Sequence, residues 1–265
     1  MRISVITPCF NAERFIDRCV DSVLAQRGDG VEIEYIVMDA GSTDGTLDKL
    51  RQRGDHIHTL VSEPDQGPAD AINKGLALAT GDVVGWLNAD DEYAPGALAR
   101  VVACMEKNPK AAFCFGHCPV IDEHGSEIRR GVTRVKRFFY PLSSRFTFQC
   151  INYISQPAMF FRREAAERAG PLRLDLKAAF DYEFLLRLWR TGPGVALSDP
   201  PLARFRWTPG SISGQHFRLQ FDEEYRAAVA DAGRFTPQAF LHWGVKWGII
   251  GMYALMTRNP ATESA

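Results

Sequence analysis

The chain predicts an α/β fold in which a mostly parallel sheet is flanked by helices, and three observations carry that prediction. Apolar runs of strand length alternate with stretches of helical periodicity through the first half. Several of those runs end in clusters of Asp, Asn, Ser, Thr and Gly, at the side of an open α/β sheet where ligands bind. The length of 265 residues, with 46% hydrophobic side chains, suits one large α/β domain with a C-terminal extension.

In chain order, strand-like runs fall at 3–7, 34–38, 58–61 and 83–87. Between the first two, Phe15, Ile16, Cys19, Val20, Val23 and Leu24 repeat at helical spacing behind Asn11, a residue suited to capping. Helical patterns also follow Thr43 (Leu47, Leu50), Ala69 (Ile72, Leu76) and Pro95 (Leu98, Val101, Val102, Met105). Strands separated by helices build βαβ units, and a parallel sheet of such units is covered on both faces.

Composition narrows function by exclusion. With 31 basic and 32 acidic residues the net charge is -1, so no global field recruits nucleic acid. The first strand begins at once, without a charged lead and long apolar run, so no signal peptide is expected and the cytoplasm is the default compartment. Cys9, Cys19, Cys104, Cys114, Cys118 and Cys150 are scattered through strand and helix patterns and read as reduced, structural thiols. The spacing of Cys114, His117, Cys118 and His124 matches no common zinc site. No G-x-G-x-x-G follows the first strand, against a dinucleotide oxidoreductase, and no basic glycine-rich phosphate loop supports a nucleotidyltransferase.

Thr7-Pro8-Cys9-Phe10-Asn11 ends the first strand, and Asp39-Ala40-Gly41-Ser42-Thr43-Asp44-Gly45-Thr46 ends the second. Asp39 is an acceptor suited to a base N–H or a ribose hydroxyl; Gly41 and Gly45 let backbone approach a ligand, and Ser42 or Thr43 starts the next helix. After the third strand comes Asp65-Gln66-Gly67, then Asp70, Asn73 and Lys74, which share a helix face at i, i+3 and i+4. They either point together at a nucleotide or form a solvated face with an Asp–Lys pair. The fourth strand ends in Asn88-Ala89-Asp90-Asp91, oxygen ligands of the kind that hold Mg²⁺ or Mn²⁺ alongside substrate phosphates.

In this order the motifs resemble family-2 glycosyltransferases of the GT-A fold, a Rossmann-like architecture, over roughly residues 1–215. The resemblance implies a nucleotide-sugar half at 1–118, an acceptor half at 119–215 and a helical extension at 216–265. It places Thr7, Pro8, Asn11 and Asp39 around the nucleoside, with Gly67, Asp70, Asn73 and Lys74 completing the nucleotide-sugar site. The family's Asp-x-Asp motif maps onto Asn88, Ala89 and Asp90, so Asp90 is the expected ligand of Mn²⁺ or Mg²⁺. Asn88 departs from the pattern but keeps an oxygen acceptor, and Asp91 is a supporting group facing the sugars.

Gln156 follows Ser155 where the family has a His-Gln pair, and is the expected sugar contact. Asp181 stands in register with the family's catalytic base; Phe180 replaces the usual preceding Glu and would raise the Asp pKa if it packed closely. Asp181 also suits an N-cap, Glu183 is the rival base, and Arg187 on the same helix is expected to reach the sugars. One base acting opposite the leaving group gives inversion. The implied activity is inverting transfer from a nucleotide-diphosphate sugar, UDP-linked, to a glycan or lipid-linked glycan, in assembly of bacterial surface polysaccharide or glycolipid. The alternative is a non-catalytic nucleotide-sugar-binding protein whose site decayed at Asn88 and Ser155.

Arg129, Arg130, Arg134, Lys136 and Arg137, before Phe138, Phe139 and Tyr140, read as a mobile loop over the acceptor site or as an unspecific basic surface with aromatics in the core. From Ala239 to Met256 the chain is apolar nearly all round, with Trp243, Trp247, Met252 and Tyr253 broken by His242 and Lys246. Contact with the inner face of a membrane, and packing on the domain or in a homodimer, fit equally.

Overall fold

The computed structural model of the chain describes residues 1–28 and 30–256. Alternating apolar residues in β1 (Arg2–Cys9) divide between the two faces of a sheet, Ile3 and Val5 to one and Ile6 to the other. The chain continues through α1 (Ile16–Leu24), β2 (Glu32–Asp39), α2 (Thr46–Gln52), β3 (Thr59–Ser62), α3 (Pro68–Leu78), β4 (Val83–Trp86), β5 (Glu92–Tyr93) and α4 (Ala97–Lys107). The second half runs β6 (Phe113–Phe115), β7 (Val120–Ile121), β8 (Glu127–Ile128), α5 (Arg130–Phe138), α6 (Arg145–Cys150), β9 (Met159–Arg162), α7 (Arg163–Ala169), α8 (Phe180–Thr191), β10 (Gly194–Ala196), β11 (Ala203–Arg206), α9 (Ile212–Gln215), α10 (Phe217–Ala232) and α11 (Pro237–Met256).

The main sheet has the order β10-β6-β9-β4-β1-β2-β3, with β9 antiparallel to both of its neighbours and the other pairings parallel. Thus the α/β expectation holds, and the four predicted strands are β1 to β4. Because β2 and β4 flank β1 on opposite sides, the chain reverses direction there and opens a crevice at the carboxyl ends of β1 and β4. A second sheet, β5-β11-β7-β8, starts from the loop after β4, where β5 pairs with β11.

Three local expectations are corrected. Asn11 does not cap α1, which starts at Ile16 behind Phe15; Asn11 instead takes a left-handed conformation (φ 48°), which Asn tolerates well. Likewise α2 starts at Thr46 after Gly45, not at Ser42 or Thr43. The expected basic mobile loop is a helix, α5, whose Thr133 is buried while Val132, Val135 and Phe138 are exposed. Phe139 and Tyr140 turn inward to Tyr153 and Phe115.

Among the described residues no helix is long and apolar enough to cross a membrane. One side of α11 packs on the domain through Ala239, His242 and an ion pair of Lys246 with Asp222, whereas Phe240, Trp243 and Trp247 stay exposed. The expectations for 257–265, and for the side chains of Met252 and Tyr253, lie outside the described residues.

Gly85 lies in β4 beneath the Phe160 ring: a Cβ there would stand 2.6 Å from the ring and 3.1 Å from the Tyr93 hydroxyl. Since both neighbours are buried, Gly85→Ala should destabilise the fold by about 1–3 kcal/mol through overpacking, measured as a lower urea midpoint at unchanged slope. A midpoint equal to wild type would show that the β4–β9 contact is loose.

Candidate active site

The ends of β1 and β2 are knitted together by side chains that accept backbone N–H groups. The Asn11 N–H donates to Ser42 Oγ at 2.8 Å, and Asn11 Oδ1 accepts from the Thr43 N–H at 2.9 Å. Asp39, 2% exposed, accepts from the N–H groups of Gly41 and Ser42 and from the hydroxyls of Ser42 and Ser62. Its carboxylate therefore shapes this loop, and a ligand would reach it only by displacing a serine hydroxyl. Thr7 and Pro8 are buried within β1, with the Thr7 hydroxyl 3.2 Å from that of Tyr35, so neither presents its side chain to the crevice. Phe10, just past the end of β1, is 61% exposed, and an exposed aromatic at a strand end is the signal that marks it as a candidate contact.

At the start of α3 the chain caps itself: Asp65 accepts from the Gly67 N–H, and Asp70 from the Gln66 N–H at 3.1 Å. Gly67 has φ 112°, a conformation that favours glycine. On the expected common face, Asp70, Asn73 and Lys74 each have a partner within the protein. Asn73 is spent on both the N–H and the carbonyl of Leu172, at 2.8 and 2.9 Å, and Lys74 pairs with Glu63 at 2.8 Å and Asp70 at 3.6 Å.

The loop after β4 sits against β1, since the Leu87 N–H donates to the Ile6 carbonyl and the Cys19 thiol to that of Asn88. The Asn88 amide donates to Gln156 Oε1 at 3.1 Å and to Asp91 at 3.3 Å, while Gln156 Nε2 donates to the Trp86 carbonyl at 2.7 Å. Gln156 thereby locks Asn88 onto the strand end. Asp91 is fully buried and accepts the Arg206 N–H at 2.8 Å, which removes it from contact with any sugar. Burial, with the charge of Asp90 alongside, pushes its carboxyl well above the usual range.

Ala89 is buried between them, and Asp90 is left half-buried. No side chain donates a hydrogen bond to its carboxylate among the described residues; burial raises its pKa while its own N–H and the Arg206 charge oppose the shift. An unspent carboxylate at the crevice fits a hard divalent cation, which here would take one protein carboxylate and complete its shell with phosphate and water oxygens. Among the described residues no group of three His, Cys, Asp or Glu could hold a metal by itself.

Arg206 was not foreseen. It is fully buried at the end of β11, donates from Nε to the Asp90 carbonyl at 2.8 Å and from Nη1 to the Asp122 carbonyl at 2.6 Å, and pairs with Glu92. The strand pattern gives no sign of it, because Arg206 shares its alternation with the exposed Arg204.

Across the crevice, Asp181 occupies the first turn of α8 and is half-buried, with Oδ1 accepting from the Tyr182 N–H at 2.8 Å. Burial raises its pKa; that N–H and the Lys136 charge oppose. Lys136 projects from α5 to Ser155 Oγ at 3.1 Å, so the residue beside Gln156 links the Asn88 side of the site to the Asp181 side. Glu183 and Arg187 turn away together. Arg187 bonds Glu183 and the carbonyls of Ala169, Gly170 and Pro171 at the end of α7, leaving it no donor for a sugar.

Residues 4–170 match the model of glycosyl transferase family 2. A glycosyltransferase of PGL/p-HBAD biosynthesis from Mycobacterium bovis is 33% identical over 190 residues, covering 69% of this chain and 68% of that one. The chain spans about half, 54%, of the length of an uncharacterized glycosyltransferase from Nostoc that is 30% identical over 177 residues. The fold is shared with S. aureus TarS 1-349 in complex with UDP-GlcNAc (TM-score 0.69, 18% identity, 91% of this chain and 69% of that one). It is shared too with mannosyltransferase PcManGT from Pyrobaculum calidifontis in complex with GDP-Man and Mn²⁺ (TM-score 0.67, 22% identity, 99% and 76%). With its sheet, its crevice and well over half of its length in agreement, the chain belongs to glycosyl transferase family 2.

Proposed function

We propose that the chain transfers a sugar, with inversion, from a UDP-linked sugar to a hydroxyl of a glycan or lipid-linked glycan in cell-envelope assembly. The observation that carries this reading is a pair of half-buried carboxylates, Asp90 in the loop after β4 and Asp181 in the first turn of α8, for which no ion pair is found among the described residues, while Asp39, Asp91 and Glu183 are spent on the protein. The donor class is supported by the nucleotide sugars bound in the two structural neighbours.

Asp90 would hold Mn²⁺ or Mg²⁺, which when bound supplies a Lewis acid that offsets charge on a departing nucleoside diphosphate. Asn88, fixed by Gln156, keeps its Oδ1 for a ribose hydroxyl or a metal-bound water. Phe10 offers its face to the base. Asp181, raised by burial, takes the proton of the acceptor hydroxyl, which a carboxylate in water would do less well. A raised pKa also sets the pH dependence: the base works only when deprotonated, so turnover should fall on the acid side at a higher pH than for an ordinary Asp.

Transfer assays with a donor panel, reading the anomeric configuration of the product by NMR, test the reaction: a retained configuration would rule out the single displacement, and binding without turnover would favour the non-catalytic alternative. Asp90→Asn should abolish transfer and the enhancement of UDP binding by Mn²⁺, whereas Asn88→Ala should cost less. Full activity of Asp90→Asn in chelator would remove the metal role. Asp181→Asn keeps shape and fold, and its kcat should drop by roughly 10²–10⁴-fold with donor Kd unchanged. Glu183→Gln serves as the contrast, since its ion pair with Arg187 holds it out of the chemistry; if it abolishes transfer while Asp181→Asn does not, the base is Glu183.

A further inference from the structure

Helix α8 begins without a cap of its own: Ala179 occupies the N-cap position, and no side chain of the helix satisfies the N–H groups that lead into it. Those groups are met from outside by Glu223 of α10, a carboxylate only 5% exposed. It accepts from the N–H groups of Lys177 at 3.1 Å, Ala178 at 2.8 Å and Ala179 at 3.0 Å. These three residues run directly into the turn that carries Asp181. A helix from the C-terminal extension thus grips the backbone beneath the proposed base.

The same helix also brings charge. Glu224, 3% exposed, is held through Oε1 by Asn152 and Gln220, each at 3.1 Å. Burial pushes Glu224 up to about 7, and it interacts electrostatically with both Asp181 and Lys136. The charged and titratable groups that face Asp181 are therefore Lys136 from α5 and Glu223 and Glu224 from α10, together with the Tyr182 N–H of its own helix. The carboxylates strengthen the hold of Asp181 on a proton, and Lys136 weakens it.

We propose that Glu223 is a positioning residue for the transfer reaction: its carboxylate fixes the start of α8 through three backbone N–H groups and keeps a negative charge beside the turn that carries Asp181. The inference rests on the reading of Asp181 as the base. It makes α10 part of the catalytic apparatus, so the extension is not a detachable anchor. A cap supplied by a charged group outside the helix lets the protein set two things with one side chain, where the base stands and how firmly it takes its proton.

The test is the pH profile of kcat in the full-length protein. Glu223→Gln keeps the reach and one accepting oxygen but removes the charge. The acid limb should move to lower pH, the plateau kcat should fall by a factor on the order of tenfold or less, and the donor KM should stay unchanged. Glu223→Asp, which keeps the charge, should leave the limb near its wild-type position. Lys136→Met supplies an independent variant should Glu223→Gln fold poorly, and it should move the limb the opposite way, to higher pH. A limb that stays in place in Glu223→Gln, with losses confined to Tm, overturns the proposal whatever Lys136→Met does. Asp181→Asn run alongside separates the two failures: if it retains turnover the base assignment itself is wrong, and if it is inactive while the limbs do not move only the role of Glu223 falls.

Discussion

A fully buried guanidinium, that of Arg206, holds the site in shape. Its donors go to the Asp90 and Asp122 carbonyls and to the Glu92 carboxylate, and its backbone N–H goes to Asp91. A charge without solvent access is costly unless every donor is matched, and removing one partner of a buried pair typically costs 3–5 kcal/mol. The chain after β4 accordingly has few arrangements available to it. By consuming Asp91, Glu92 and the main chain of Asp90, Arg206 leaves the Asp90 carboxylate as the one acidic group of this loop still able to serve a ligand. The second sheet exists, in this light, to deliver Arg206: β11 pairs with β5 immediately beyond the loop, Arg204 opposite Glu92.

The far side of the crevice depends on a matching constraint. Three N–H groups ahead of α8 would be orphaned without Glu223, and the buried amine of Lys136 would lack a partner without Ser155. Both contacts come from segments far away in the chain. Since Ser155 adjoins Gln156, and Gln156 holds Asn88, a set of polar contacts runs from the strand ends to Lys136, whose charge acts on the proposed base. A site split between two halves of a chain needs such a connection to keep its groups at working distance.

Much of the fold was legible because its causes are local. Strand runs with Val, Ile and aromatic residues, separated by amphipathic helices, leave few options but a parallel sheet, and polar clusters after each strand mark the edge where ligands bind. What the sequence could not disclose was the allocation of polar groups once the chain is folded. Asp39, Asn73, Asp91 and Arg187 are residue types that bind nucleotides and sugars, yet each finds a backbone or side-chain partner within the protein. Arg206 and Asp91 lie 115 residues apart, Asn73 and Leu172 lie 99 apart, and no periodicity reports such pairings. The basic stretch at 129–137 shows the other failure: counting charges suggested a loop, while Thr133, Lys136 and Phe139, three residues apart, line the face of a helix that turns towards the protein.

Asp90 is the proposed protein ligand of a divalent cation shared with a nucleotide diphosphate. Crystals grown with UDP and Mn²⁺, measured for anomalous scattering from manganese, test it most directly. The account predicts a single strong peak within bonding distance of the Asp90 carboxylate, with diphosphate oxygens completing its coordination and Asp91 still bound to the Arg206 N–H. A nucleotide seated in the crevice with no peak at Asp90, or a peak held by Asp91 after release from Arg206, would contradict it.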